Sequence, residues 1–196
     1  MGACGYQARD DGQPQRVAQD QSGNVYIFGS VEQVQGTRFF TVPILRVEGA
    51  TESGSFSKTY RGDEEQNRLI VDGATGQSRR ILPDSKFEIV NWIEPTSKAS
   101  NLGNYSSNQA EGDVSKSSGI YAAVVKRPGK TDKDPPTYDL LLGHFEDGQQ
   151  GWIARGLSGV QAVWLNQDGK LAVVAAKNDR GIYQLYDPNS FRQLLQ

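Results

Sequence analysis

The residues that could carry out acid–base or nucleophilic chemistry are few and poorly spaced for it. Gly156, Ser158 and Val160 follow the spacing of a hydrolase nucleophile elbow, but Val160 stands where that turn needs its last glycine. His144 is the single histidine and adjoins Phe145 in a predicted strand, where a packed and hydrogen-bonded side chain is expected. We therefore predict no catalytic residues and no enzymatic activity.

Metal and cofactor sites find little support in the sequence. One cysteine and one histidine cannot supply the ligand set of an ordinary zinc site. Acidic clusters at 63–65, 111–113 and 132–134 lack the spaced Asp and Asn series of a calcium loop, so we interpret them as solvated loops. Residues 129–131 lack the earlier glycine of a phosphate-binding loop. No metal and no cofactor is predicted.

The composition favours a β-protein over a helical one. The chain has 196 residues, of which 22 are glycine and 36% are hydrophobic, and no stretch keeps apolar residues at helical spacing. A formal charge of −2 argues against nucleic acid as a partner, because phosphate binding needs concentrated Lys and Arg. No segment approaches the roughly 20 apolar residues of a membrane-spanning helix.

The first residues resemble the end of a bacterial lipoprotein signal. Gly2 and Ala3 precede Cys4, the single cysteine, which we predict to be the lipid attachment site. Residues 1–21 are polar and predict a flexible tether, which leaves 22–196 as the β domain. The residue after the cysteine is Gly5 and not an aspartate. In a lipoprotein this implies sorting to the periplasmic side of the outer membrane. The alternative is an ordinary start codon and a cytoplasmic protein.

A short pattern of apolar run, polar turn and second apolar run occurs three times. The first copy lies at 69–82, the second runs from 141 to Trp164 and the third lies at 182–195; the first two align without gaps at an offset of 72. In that alignment Gly76 matches Gly148, and Trp92 matches Trp164. Each copy predicts a β-hairpin. Repeated hairpins at long spacing are typical of propellers and related arrays.

Two segments resemble the TolB-like β-propeller repeat family. Asp72, Thr75, Gly76, Arg79 and Ile81 match the outer hairpin of that repeat. The run 160–174, with its tryptophan and an Asp-Gly turn, matches the inner half. The resemblance implies an all-β fold of propeller-like, four-stranded antiparallel sheets, with each tryptophan filling the wedge between neighbouring blades. It says little about activity, since propellers serve many functions.

The sequence predicts twelve strands, which at four strands per blade is enough for about three blades. Closed propellers usually have four to eight blades, so three would leave open edges. A homodimer closing one ring is one solution. A compact β-sandwich or barrel is the alternative, and so is completion of the sheets by other segments of the chain. Pro43 predicts a bulge or an edge within its strand.

The long loops 50–67 and 94–118 are the predicted contact surface. Both are rich in small polar residues, and loops of this length usually carry function. The binding residues predicted on or near them are Tyr60, Asp63, Tyr105, Glu111 and Tyr121, with the tyrosines as exposed anchors. The three tryptophans lie in apolar runs and predict core packing. The sequence thus favours a non-catalytic envelope lipoprotein that binds a protein or envelope component.

An enzyme is the alternative function. A glycan-acting hydrolase or lyase could use paired loop carboxylates such as Asp63 and Glu111. Such an enzyme needs two carboxylates about 5–10 Å apart.

Overall fold

Fifteen β-strands run through the part of the chain that the computed structural model describes, residues 16–19, 25–47, 64–83, 87–96, 100–101, 118–129, 131 and 133–195. The strands are β1 (Arg16–Gln19), β2 (Val25–Phe28), β3 (Glu32–Gln33), β4 (Phe39–Val47), β5 (Glu64–Asp72), β6 (Ser78–Arg80), β7 (Glu88–Ile93), β8 (Ser100–Asn101), β9 (Ile120–Arg127), β10 (Thr137–His144), β11 (Gln150–Leu157), β12 (Gly159–Leu165), β13 (Leu171–Lys177), β14 (Arg180–Tyr186) and β15 (Gln193–Leu195). Within those residues there is no helix, and hence none that could cross a membrane.

The strands form three antiparallel sheets that follow one another along the chain. Sheet 1 has the order β1-β2-β4-β5-β6, with β3 beside β4; sheet 2 has the order β7-β9-β10-β11; and sheet 3 has the order β8-β12-β13-β14-β15. Each sheet is a blade-like unit whose last hairpin is one copy of the repeated pattern. The prediction of an all-β fold with about three propeller-like repeats is confirmed. Sheets 1 and 3 exceed four strands because short segments add to them.

The three outer hairpins share one backbone requirement. Gly76 and Gly148 occupy the same turn position, with φ of +72° and +69°. This left-handed region suits glycine because a Cβ atom meets steric conflict there. Phe191 takes the matching position in the third copy, at φ +57°. Its ring packs near Gly151 and against His144, with ring centroids 5.2 Å apart, so packing helps hold a conformation that phenylalanine otherwise avoids.

Pro43 lies inside a sheet, so the edge position expected for it is wrong. Strand β4 is continuous through Pro43, which pairs with Arg68 of β5 and accepts a hydrogen bond from Gly29 on its other side. The pairing of β2 with β4 stops at Ile44, and that of β3 starts at Thr41. The proline nitrogen therefore faces the gap between β2 and β3, where no ladder bond is lost. The nearest bulge has its extra residue, Gln66, in the partner strand β5, where Ile44 pairs with Asn67 and Leu45 with Glu65.

Sheet 2 is buried on both faces, and this defines the core. Because neighbouring side chains on a strand point to opposite faces, the run 120–125 contributes to two separate clusters. Between sheets 1 and 2 the buried cluster is Val34, Phe39, Ile70, Ile81, Leu82, Ile89, Tyr121, Ala123, Val125, Leu141 and Phe145. Between sheets 2 and 3 it includes Ile93, Ala122, Val124, Leu140, Leu142, Val163, Val173 and Tyr186. This double burial explains the uninterrupted apolar sequence of β9 and β10.

The two aligned tryptophans lie on opposite faces of their sheets. Trp92 pairs with Ala123 and packs toward sheet 1. Trp164 pairs with Ala172, while its neighbour Val163 faces sheet 2. The structural equivalent of Trp164 is therefore Ile93, whereas the gap-free alignment pairs Trp164 with Trp92, one residue earlier. A one-residue shift exchanges the two faces of a strand. The expectation that both tryptophans fill a wedge between blades fails for Trp164 within the described chain.

Candidate functional site

Five of the predicted functional residues lie outside the described part of the chain. These are Cys4, Tyr60, Asp63, Tyr105 and Glu111. The loop predicted over 50–67 ends earlier than expected, because residues 64–67 belong to β5 and Gln66 and Asn67 are buried there. The lipid attachment and the loop carboxylates therefore stay predictions.

Tyr121 belongs to the core, and its prediction as an exposed contact residue is wrong. Its ring is fully buried and stacks on Trp92, with ring centroids 4.9 Å apart. The hydroxyl donates a hydrogen bond of 2.8 Å to Oε1 of Gln150. Burial raises the pKa of Tyr121 to about 12, so the hydroxyl stays protonated at neutral pH. Gly143 makes room for the ring, since a Cβ there would lie 2.3 Å from Cζ of the tyrosine.

Hydrogen bonds from side chains connect the outer hairpins of all three sheets. Nη2 of Arg79, in sheet 1, donates to the carbonyl oxygens of His144 and Phe145 in sheet 2, at 2.6 and 3.2 Å. Nε2 of His144 in turn donates to the carbonyl of Pro188 in sheet 3, at 2.8 Å. The prediction that His144 is a packed and hydrogen-bonded residue is confirmed. Its geometry is that of a structural connection between sheets.

Carboxylates in the second and third turns accept hydrogen bonds that favour their ionised form. The Ser190 hydroxyl and the Asn189 amide donate to Asp187 and lower its pKa. The Gln149 amide lowers the pKa of Asp147, and the nearby ring of His144 acts in the same direction. A carboxylate that accepts such bonds holds its turn in shape.

We expect replacement of Asp187 by Asn to weaken the acid dependence of stability. Because folding lowers the pKa of Asp187, its contribution is present above the unfolded-state pKa of about 3.9 and is lost as the pH falls through the folded value. The free energy of unfolding of wild type should therefore exceed that of Asp187→Asn at about pH 6 and converge toward it near pH 2.5. Urea unfolding at several pH values measures this. The Ser190 hydroxyl is the largest cause of the lowered pKa of Asp187, so in a Ser190→Ala background the stability difference caused by Asp187→Asn should depend less on pH. A stability difference between wild type and Asp187→Asn that stays constant with pH would contradict the lowered pKa.

A buried arginine occupies the junction between sheets 1 and 2. Arg68 is 8% exposed and donates from Nε and Nη2 to both carboxylate oxygens of Glu65, at 2.7 and 2.9 Å. Its Nη1 donates to the Thr41 hydroxyl at 3.2 Å and lies 3.5 Å from Glu32. The guanidinium carbon sits 4.6 Å from the centroid of the Trp92 ring. One cation thus joins a carboxylate of its own sheet to an aromatic ring of the next.

The carboxylates around Arg68 are unequal in their surroundings. Burial raises the pKa of Glu65, and the hydrogen bonds from Arg68 offset this only in part. Burial likewise raises the pKa of Glu94, against opposing effects of Trp92 and Arg68. In the described residues no three His, Cys, Asp or Glu side chains are grouped to hold a metal ion. The group stabilises the junction, and its carboxylates are engaged by a protein cation.

A small cleft opens between the outer strands of sheets 2 and 3. Its volume is about 230 Å³, below the range of roughly 300–1,000 Å³ that drug-sized ligands occupy. Its lining includes Ile153, Arg155, Lys177, Gln184, Tyr186 and Gln193. Burial raises the pKa of Tyr186, whose hydroxyl donates to Gln184 at 2.7 Å, so this polar group already has a protein partner.

The face of sheet 3 that points away from sheet 2, called here the outward face of sheet 3, is apolar. Two cross-strand rows form it: Trp164, Ala172 and Leu185; and Ala162, Val174 and Tyr183. None of these six residues is charged. Tyr183 is 43% exposed, Trp164, Val174 and Leu185 are half-buried, and Ala162 and Ala172 are buried. The rings of Trp164 and Tyr183 lie 6.2 Å apart. Such a combination is typical of an interface core.

Sequence reasoning missed this surface. The apolar runs around Trp164 and Tyr183 looked like core strands, and alternation along a strand does not reveal whether a neighbouring sheet covers both faces. The signal that could have found it is the uncharged and aromatic character of the two rows that contain Trp164 and Tyr183.

Comparison with known proteins shows a structural likeness and no family. No protein-family model matches the chain, and no curated protein matches it. One solved structure is similar, the β-propeller domain of the Trilobed protease from Pyrococcus furiosus, at 12% sequence identity and a TM-score of 0.41. The likeness covers 86% of this chain and 42% of that chain, so this chain spans less than half of the length of its structural neighbour.

Proposed function

We propose that this chain is a non-catalytic cell-envelope lipoprotein that binds another protein. The outward face of sheet 3 is its principal contact surface, and the segments 50–63 and 94–118 are proposed as additional contacts. Lipid attached at Cys4 would hold the protein on the periplasmic side of the outer membrane, with residues 1–21 as the tether. The proposal includes membership of its hairpin repeats in the TolB-like β-propeller family.

The observation that carries the proposal is the aromatic, uncharged character of the outward face of sheet 3. Interface cores are depleted in charge and enriched in tryptophan and tyrosine. Trp164 and Tyr183 lie together on a rigid sheet, where little side-chain entropy is lost on contact. Monomeric proteins rarely leave a large apolar patch open to water. A protein partner fits this surface better than a small ligand does, because the surface is a sheet face rather than a cavity.

Site-specific photo-crosslinking in cells tests the proposal. A crosslinking amino acid replaces Tyr183 in the lipidated protein, and the same amino acid replaces Val31 in a matched control. Val31 is exposed and apolar but lies in the loop between β2 and β3, away from the outward face of sheet 3. We expect discrete protein adducts from position 183 and none from position 31. Equal labelling at the two positions would contradict the proposal, as would loss of glycan turnover in an Asp63→Asn variant.

A further inference from the structure

We propose that the outward face of sheet 3 binds the face of sheet 1 that points away from sheet 2, in a second copy of this chain. Two copies joined in this way would bring twice three, or six, sheets into one closed ring. The inference rests on the proposed function, since it identifies the partner of the same surface.

Sheets 2 and 3 contain equivalent cross-strand rows. In sheet 2 the row Ile93, Ala122 and Leu142 faces sheet 3 and lies in the buried core. In sheet 3 the matching row is Trp164, Ala172 and Leu185, at the same places in the strand order. Residues directly opposite one another in antiparallel strands share a face. The outward face of sheet 3 is therefore built as the side of a sheet-to-sheet interface.

The matching half of that interface lies on sheet 1. On the side of sheet 1 away from sheet 2, Phe40 pairs with Val71, and Val42 pairs with Leu69. By the 72-residue offset, Leu69 corresponds to Leu141, which packs against the preceding sheet inside the core. These four residues carry no charge, and three of them, Phe40, Leu69 and Val71, are only half-buried.

Contact between these two faces could close a ring of sheets. A head-to-tail contact between different faces either closes a ring or extends into a filament. Six sheets fall within the four to eight of closed propellers, whereas three do not. In a two-copy ring the same contact forms twice about a two-fold axis, and each copy uses both of its end faces. A second copy would therefore cover both of these faces at once.

The absolute mass of the 196-residue chain in reducing buffer, measured by light scattering, tests the inference. We expect a mass of twice 21.5 kDa, or 43 kDa, stable on moderate dilution. Tyr183→Lys and Val71→Asp should each shift the mass to 21.5 kDa, because each places a charge in one half of the contact. The control Val31→Lys should keep 43 kDa. Circular dichroism verifies that each variant is folded, and Leu69→Gln replaces Val71→Asp if that variant is not.

Mixing the two single variants gives a sharper result. In a ring, Tyr183→Lys and Val71→Asp chains would share one unaltered contact, so the mixture should recover part of the 43 kDa species. A dimer that Tyr183→Lys disrupts but Val71→Asp and Leu69→Gln leave intact would indicate face-to-face pairing of sheet 3 and overturn the inference. A monomeric wild type would also overturn it. Adducts of a different protein at position 183 would then leave the proposed function standing.

Discussion

Replacing Arg68 by Met should lower the free energy of unfolding by about 3–5 kcal/mol, the usual cost of removing one partner of a buried ion pair. The guanidinium is 8% exposed and binds Glu65 through two hydrogen bonds. Without it the Glu65 carboxylate stays buried with no compensating cation, and burial already raises the pKa of that group. The contact with the Trp92 ring is lost as well, which loosens the junction between sheets 1 and 2. Urea unfolding measures the change.

Arg38→Met is the matched control for this experiment. Arg38 also lies over an aromatic ring, that of Phe39 at 4.7 Å, and also forms ion pairs, with Asp72 and Glu146. Its side chain is 46% exposed and its ion pairs are screened by water, so its removal should destabilise the protein far less than the removal of Arg68 does. A double variant, Arg68→Met with Glu65→Leu, should recover most of the lost stability because it also removes the buried carboxylate that has lost its cation. Equal losses for Arg68→Met and Arg38→Met would contradict this account of the junction.

Leu142→Ala should lower the free energy of unfolding by about 2–5 kcal/mol. Leu142 is fully buried in the cluster between sheets 2 and 3, where truncation leaves a cavity between two sheets that cannot easily close. Leu185 holds the equivalent position on the outward face of sheet 3 but is only half-buried. Leu185→Ala should therefore cost less than half as much in the isolated chain.

The comparison of these two leucine variants also depends on protein concentration. If two copies close a ring, Leu185 is buried by association, and the destabilisation by Leu185→Ala should grow as concentration rises. Leu142→Ala should show the same loss at every concentration, because its surroundings lie within one chain. Thermal unfolding over a range of concentrations measures both. A Leu185→Ala effect that is large and independent of concentration would mean that the chain itself covers this face.

The local patterns predicted the sheets and their hairpins well. Gly76 and Gly148 marked turns that need a left-handed residue, and the apolar runs on either side became paired strands. This worked because turn chemistry and strand alternation are properties of a few neighbouring residues. The single histidine was also interpreted correctly as a packed residue, since its place beside Phe145 in an apolar strand indicated that role.

The relation between sheets was much less predictable. Tyr121 was expected at the surface because a long polar loop precedes it, yet burial of sheet 2 on both faces places it in the core. Trp164 was expected in a blade interface, and a one-residue difference in register turned it outward. No role was predicted for Arg68, because it contacts the ring of Trp92, which lies in a different sheet. Contacts between distant strands depend on packing and register, which local periodicity does not encode.

The hydrogen bonds from Arg79 and His144 all join the sheets at one end of the outer strands. At that end the separation between neighbouring sheets is fixed by polar groups with short, directional contacts. At the opposite end, side chains of the core fill the space between the sheets. The angle between successive sheets, and hence the curvature of the array, therefore depends on core volume as well as on the hairpin contacts and on the contact of Arg68 with the Trp92 ring. Substitutions that enlarge or shrink residues near that opposite end should change the number of sheets that a closed ring can hold, while the hairpin contacts stay intact.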